Sequence, residues 1–220
     1  MIQAGHNITG FTQLVLIRHG QSAYNYDNRF TGTADCPLSP VGRVEAAQVG
    51  RELQRLRIQL DQVYCSALQR TRETFSIIAK TVSPLYDHTA VQSVPALNER
   101  NYGLLQGRNK EQAVEQYGSA TVERWRRSYT SIPPGGESLE QTGKRVIQFY
   151  TTCVQPDLQA GCRILLLAHG NTLRSLIMYL EGLSPEQVEQ LEVVTGEVII
   201  YKMDAALHVL DKTIFHPVQI

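Results

Sequence analysis

One short pattern occurs twice in this chain, about 150 residues apart, and it restricts the fold more than any other feature. Near the start, Leu14-Val15-Leu16-Ile17 runs into Arg18-His19-Gly20-Gln21-Ser22. Near the end, Ile164-Leu165-Leu166-Leu167 runs into Ala168-His169-Gly170-Asn171-Thr172. Each copy is an apolar run of strand length, then a histidine, a glycine and small polar residues suited to opening a helix. Continuous apolar runs are the mark of strands buried on both faces. A single His-Gly after a strand is usually a turn. Two copies in the same context deliver two imidazoles from strand ends to one cleft, one fit for attack and the other for charge stabilisation.

The rest of the chain extends this pattern. Strands are expected at Gln13–Ile17, Gln62–Cys65, Val91–Val94, Arg163–Ala168 and Glu197–Met203, with a weaker one near Leu207–Asp211. They alternate with helical patterns, which predicts an α/β fold with a mostly parallel sheet of about six strands. Ser39-Pro40 reads as an N-cap before a proline at the first helical position. Ser66 to Gln69, Ser138 to Gln141 and Ser184 to Gln187 each match a capping box. The helix after Asn171 is expected to end near Gly182. Residues 1–220 read as one domain, and the polar segment 95–136 reads as an excursion with one or two short helices around Lys110–Arg127. Long excursions of this kind are usually lids or binding loops.

Composition narrows the partners. Lys+Arg and Asp+Glu both total 21, so overall charge gives no support for nucleic-acid or membrane attraction. Any anion site must come from local clustering. The four cysteines are too scattered for a zinc motif and too few for a disulfide scaffold. Cys65 and Cys153 read as small core residues, Cys36 and Cys162 as loop or strand-edge residues, in a reducing compartment. Met1 to Thr12 lack the order of a signal peptide, and no apolar run reaches bilayer length. The expectation is a cytoplasmic protein.

Ligands of parallel α/β folds bind beyond the carboxyl ends of the strands. His19 and His169 belong there, as does Arg70 in the helix after the strand ending at Cys65, with Arg18 beside the first imidazole. Helix N-termini after Gly170 and Ser66 would add N–H donors. Forked guanidiniums and such donors suit a phosphoryl group. A neutral imidazole can attack phosphorus, and the nearby arginine charges are expected to disfavour the imidazolium. Arg18 favours His19 as the nucleophile, with His169 donating to the transferring oxygens. Glu99 is the candidate acid/base. Lys110, Arg126 and Arg127 could hold a further anionic group. No metal constellation and no Walker loop is visible, so the charge must be met by the protein's own cations.

With Arg18-His19-Gly20, Ser66-Ala67-Leu68-Gln69-Arg70, Leu97-Asn98-Glu99-Arg100-Asn101-Tyr102-Gly103 and Ala168-His169-Gly170-Asn171 assembled, the chain resembles the histidine phosphatase superfamily. Within it, the chain is similar to the phosphoglycerate mutases that depend on 2,3-bisphosphoglycerate. Gly107-x-Asn109-Lys110 and Trp125-Arg126-Arg127-Ser128-Tyr129 carry that finer likeness, which runs from about Leu14 to Tyr201.

The resemblance implies a three-layer sandwich. It also implies phosphorylation of His19 on the ring nitrogen remote from the backbone, proton transfer by Glu99, transition-state stabilisation by His169, and phosphoryl binding by Arg18 and Arg70. Substrate contacts would come from Gly20, Gln21, Ser22, Ala23, Tyr24, Asn25, Thr31, Gly32, Arg100, Asn101, Tyr102, Lys110, Arg126, Arg127, Gly170 and Asn171. The primer would be 2,3-bisphosphoglycerate without a metal, the partners phosphoglycerates, and the assembly a homodimer or a higher homo-oligomer.

The chain departs from the family pattern in three places. Tyr24 and Thr33 stand where tryptophans are common, the stretch Tyr129–Glu137 is short, and the chain ends at Ile220 without the longer members' tail. A more open site would admit water and raise hydrolysis. Two other readings compete with the mutase. One is a small-molecule phosphatase using the same phosphohistidine. The other is a non-catalytic binder of phosphorylated ligands, which would have no use for His19, Arg70, Glu99 and His169 together.

Overall fold

A computed structural model describes residues 11–84, 86 and 89–218. Residues 1–10, on which most of the leader-segment reading falls, lie outside the described residues. The chain runs through β1 (Thr12–Arg18), α1 (Ala23–Tyr26), α2 (Pro40–Arg55), β2 (Gln62–Ser66), α3 (Gln69–Val82) and β3 (Ala90–Val94). Segment 95–136 follows, carrying α4 (Lys110–Tyr117) and α5 (Ser119–Arg127). Then come α6 (Leu139–Phe149), a π turn (Tyr150–Val154), α7 (Gln155–Gln159), β4 (Ile164–Ala168), α8 (Gly170–Glu181) and α9 (Pro185–Gln190). The last two strands are β5 (Val198–Met203) and β6 (Val209–Phe215).

The six strands form one sheet in the order β3-β2-β4-β1-β5-β6. β1, β2, β3 and β4 pair in parallel, whereas β5 runs antiparallel to both β1 and β6, so only β5 is reversed. The apolar runs behave as their continuity predicts. Leu14, Leu16, Ile164 and Leu166 face a layer built from α6, the π turn, α7 and α8. Val15, Ile17, Leu165 and Leu167 face α2 and α3 on the other side. All eight are completely buried, each burial contributing about 1.5–3 kcal/mol. Three layers result.

Two smaller expectations fail for local reasons. Ser66 does not cap α3. It is the last residue of β2, its hydroxyl is engaged with His169 and Asn98, and α3 starts from Leu68 with no side-chain cap. Cys153 is exposed rather than core, because it faces out of the π turn, while Cys65 is buried as expected. The capping boxes at Ser138 and Ser184 and the left-handed Gly182 are present. β6 is longer than its sequence signal because it is an edge strand exposed along almost its whole length, leaving no apolar alternation to read. Among the described residues, no helix is long and apolar enough to cross a membrane.

Segment 95–136 has a small core of its own. Leu105, Ala113 and Val122 pack with Tyr102 and with Phe30 from the loop after α1, flanked by Tyr117 and Trp125. The excursion is therefore fastened to the loop that follows β1, on the side of the sheet's carboxyl edge.

Candidate active site

Register brings the two histidines together. β1 and β4 are neighbours, with Arg18 opposite Ala168, so the next residue of each strand emerges at the same level. His19 and His169 meet with ring centroids 4.9 Å apart at 62°. Both are buried. The chain can turn away so sharply after His19 because Gly20 lies against Gly42, the first turn of α2. A Cβ on Gly20 would stand 2.2 Å from the Gly42 carbonyl oxygen.

Arg70 lies between the imidazoles. Its Nε is 3.2 Å from His19 Nε2 and 3.2 Å from His169 Nδ1. Its two terminal nitrogens donate to Ala34 O and Gly32 O at 2.9 and 2.8 Å. Gly32 supports that geometry at φ +54, where a side chain would be strained.

The other ring nitrogens fix the tautomers. Nδ1 of His19 sits 2.6 Å from Gly20 O, an acceptor only, and must donate to it, leaving the Nε2 lone pair facing Arg70. Nε2 of His169 is 2.7 Å from Ser66 Oγ, which donates to Asn98 Oδ1 at 2.8 Å. His169 therefore carries its proton on Nε2. Both imidazoles are held well below the usual histidine pKa. Burial is the largest cause for each, and the positive charge of Arg70 comes next. The sequence reading had named only the arginines.

Glu99 reaches the same edge from the loop after β3. Its carboxylate accepts from Arg100 N at 2.8 Å and from Asn171 N at 3.2 Å. The N-terminus of α8 thus already holds a carboxylate, so its Asn171 N–H is not free for a ligand. Arg145 of α6 holds the loop in place by donating to Ala96 O, Asn98 O and Glu99 O, with Glu137 beside it.

A cavity of about 200 Å³ opens over this centre. Of the residues singled out from the sequence, Arg18, His19, Asn25, Thr31, Gly32, Arg70, Glu99, Tyr102, Lys110, Arg126, Arg127, Gly170 and Asn171 line it. Gly20, Gln21, Ser22, Ala23, Tyr24, Arg100 and Asn101 do not. Gln21 is used in binding Glu45 and Ser39, Ser22 caps α1, and Asn101 is paired with Glu137. Arg100 is fully buried, with its guanidinium over the Tyr102 ring. His169 lies behind His19 and contributes no wall.

The sequence reading missed Arg29, Phe30, Arg174, Glu192 and Val193, which complete the lining. Loops over the sheet place Arg29, Phe30, Glu192 and Val193 there, and α8 places Arg174. Arg29 follows the α1 turn and had a readable cue in its neighbour Thr31. The loop 191–196 carried none.

The wall is strongly cationic, and its charges strain against one another. Lys110 is depressed below the usual lysine value by burial first, then by Arg126 and Arg18. Arg18 is lowered by burial, and its Nε has no partner, as is true of Thr31 Oγ1. An anion relieves both conditions, since it offsets the like charges and accepts from buried donors. Among the described residues no group of three His, Cys, Asp or Glu side chains could hold a metal ion.

A profile of the histidine phosphatase superfamily (branch 1) matches residues 14–213. The chain belongs to the histidine phosphatase superfamily. Within this superfamily it is 44% identical to a 2,3-bisphosphoglycerate-dependent phosphoglycerate mutase of Bartonella henselae, over 93% of this chain and 98% of that one. It is 41% identical to a protein of the same name from Gloeothece citriformis, over 93% and 100%. Among solved structures it is similar to the mycobacterial glucosyl-3-phosphoglycerate phosphatase, at 26% identity and TM-score 0.71, covering 86% of this chain and 92% of that one. It is also similar to the α-ribazole phosphatase of Shigella flexneri, at 25% identity and TM-score 0.74, covering 95% and 96%.

Proposed function

We propose that this enzyme interconverts 3-phosphoglycerate and 2-phosphoglycerate through a phosphohistidine at His19, primed by 2,3-bisphosphoglycerate. The observation that carries this reading is the second set of cations. Beyond the phosphoryl centre of Arg18 and Arg70, the pocket holds Arg29, Lys110, Arg126 and Arg127. Hydrolysis needs a phosphoryl site and water. A mutase must also hold a carboxylate and a second phosphate while the substrate turns, and these cations suit that task.

The bisphosphate fits the residues present: it brings acceptors to the unpartnered donors and negative charge to the crowded cations. Arg18, Arg70 and Thr31 would hold the transferring end, and Lys110, Arg126 and Arg127 the other. When bound, it supplies the phosphoryl group that charges His19. His19 Nε2 attacks phosphorus as the bond to the departing oxygen breaks, and Glu99, entering this step protonated, gives that oxygen its proton and is left as the carboxylate. In the next half-reaction His19 passes the phosphoryl group to the free hydroxyl of 3-phosphoglycerate, whose proton Glu99 takes back. After the substrate turns, His19 receives the other phosphoryl group and 2-phosphoglycerate leaves. His169 can donate from Nδ1 only as an imidazolium, so its donor role requires the incoming negative charge to offset the burial that keeps it neutral.

A phosphatase using the same phosphohistidine is the second reading, favoured by the likeness to two solved structures named as phosphatases. The short 129–137 segment does not decide the matter. The Bartonella henselae relative is matched over 98% of its length within 204 residues, so a comparably short chain bears the mutase name. Coupling 3-phosphoglycerate conversion to enolase, with and without catalytic bisphosphate and with free phosphate monitored, tests the proposal. Bisphosphate-dependent isomerisation that exceeds phosphate release is expected. Phosphate release with little isomerisation would replace the mutase by the phosphatase.

A further inference from the structure

The outer cations Arg126 and Arg127 sit at the end of α5, whose backbone is gripped by one arginine from earlier in the same excursion and one from α8. The last carbonyls of a helix have no partner within it. Here two buried arginines from other elements take them. Arg100 Nη2 donates to Trp125 O at 2.6 Å and to Arg126 O at 3.3 Å. Arg174, on α8, donates from Nη2 to Arg127 O at 3.2 Å and to Val188 O at 2.7 Å. Its Nη1 holds Asn171 Oδ1 at 2.9 Å. Positive charge at this position also meets the negative end of the helix dipole.

The contrast within residues 125–127 is informative. Their carbonyls are bound by guanidiniums of which one is fully buried and the other 5% exposed. The side chains of Arg126 and Arg127 are 38% and 32% exposed and turn into the cavity wall. Their own carboxylate partners, Glu123 and Glu192, are half-exposed or more, so those pairs hold the helix weakly.

We propose that Arg174, acting with Arg100, is a positioning residue. It fixes the end of α5 and thereby sets how Arg126 and Arg127 meet the acidic group of the substrate that is not transferred. The ligand class concerned is a phosphoester carrying a second negative group, and the proposal rests on the anion-site reading given above. One guanidinium joins Asn171 beside the inner centre, Val188 of α9 and Arg127 of the excursion. A lysine, with a single ammonium and no planar fork, cannot span those three acceptors in that geometry.

The test compares Arg174→Lys and Arg174→Met with the wild type by two readouts. Calorimetry measures binding of 3-phosphoglycerate and of inorganic phosphate. Hydrogen exchange, without ligand, follows residues 119–128. In the variants, 3-phosphoglycerate binding should weaken about tenfold more than phosphate binding, as expected for misplaced charge-assisted bonds. Exchange should accelerate in 119–128 but not in β1 and β4. Equal weakening of both ligands, or unchanged exchange in 119–128, would overturn the proposal. If the methionine variant does not fold, the lysine variant carries the same comparison. A wild type that binds phosphate but not 3-phosphoglycerate would sink the mutase reading, and the exchange result alone would then decide the role of Arg174.

Discussion

The inner centre and the outer rim of this pocket are built by different means. His19, His169 and Ser66 come from the ends of adjacent strands, and Arg70 is held by two backbone carbonyls. Their positions follow from sheet register, backed by large apolar clusters on both faces. Lys110, Arg126 and Arg127 ride on short helices over a small separate core, held at one end by Arg100 and Arg174. A centre fixed by register cannot be moved without moving the sheet. A rim carried on an excursion can change with the substrate and leave the sheet untouched.

Substitutions should separate the two regions. The largest effect is expected from His19→Ala, which removes the attacking nitrogen and should lower turnover by at least about a thousandfold; near-normal activity would remove the mechanism. Glu99→Gln should lower kcat by about a hundredfold or more by removing the proton carrier, with KM moving much less. Arg127→Ala should do the reverse, raising KM for 3-phosphoglycerate by about tenfold with a smaller change in kcat. Steady-state kinetics of the three variants would blur the distinction if Arg127→Ala lost kcat and Glu99→Gln lost KM.

Stability should follow pH through the inner centre. Folding holds His19 and His169 below the ordinary value of 6.5, so below that pH the unfolded chain binds protons that the folded one refuses. Stability is thus fully present above about pH 6.5 and falls as the pH drops, by at most about 1.4 kcal/mol per histidine per pH unit. Denaturant titrations from pH 7.5 to 5 should show this slope, and His169→Asn should flatten it. The smallest expected effect is that of EDTA: activity should be unchanged, and loss restored by a divalent metal would contradict a centre whose charge is met by arginines.

What the sequence made legible follows the same division. The two strand–His–Gly copies were readable because continuous apolar runs mark buried strands, and their pairing in register then fixes where the histidines go. Arg70 was readable from its place after a strand end, whereas Glu99 gained weight only from motif likeness, since nothing in its periodicity distinguishes it from an ordinary loop carboxylate. Gln21, Ser22 and Asn101 were read as ligand contacts, yet they do not line the cavity, and their side-chain oxygens are engaged in local bonds with Ser39, Asn25 and Gly103 N. Arg174 was hidden because its role depends on carbonyls 47 and 14 residues away. Ser66 was misread for the same reason: its hydroxyl answers to His169, 103 residues distant, and to Asn98, and locally it accepts only from Leu68 N, ahead of the first turn of α3.

The central claim is that one of two adjacent, neutral histidines carries the phosphoryl group and returns it to an acid-bearing substrate. The most direct measurement incubates the protein with 2,3-bisphosphoglycerate carrying a radiolabelled phosphoryl group. The labelled residue is mapped, and the labelled protein is then chased with 3-phosphoglycerate. The account predicts label on His19 that passes into phosphoglycerates with little free phosphate. Label on His169, no label, or release of all of it as inorganic phosphate would contradict it.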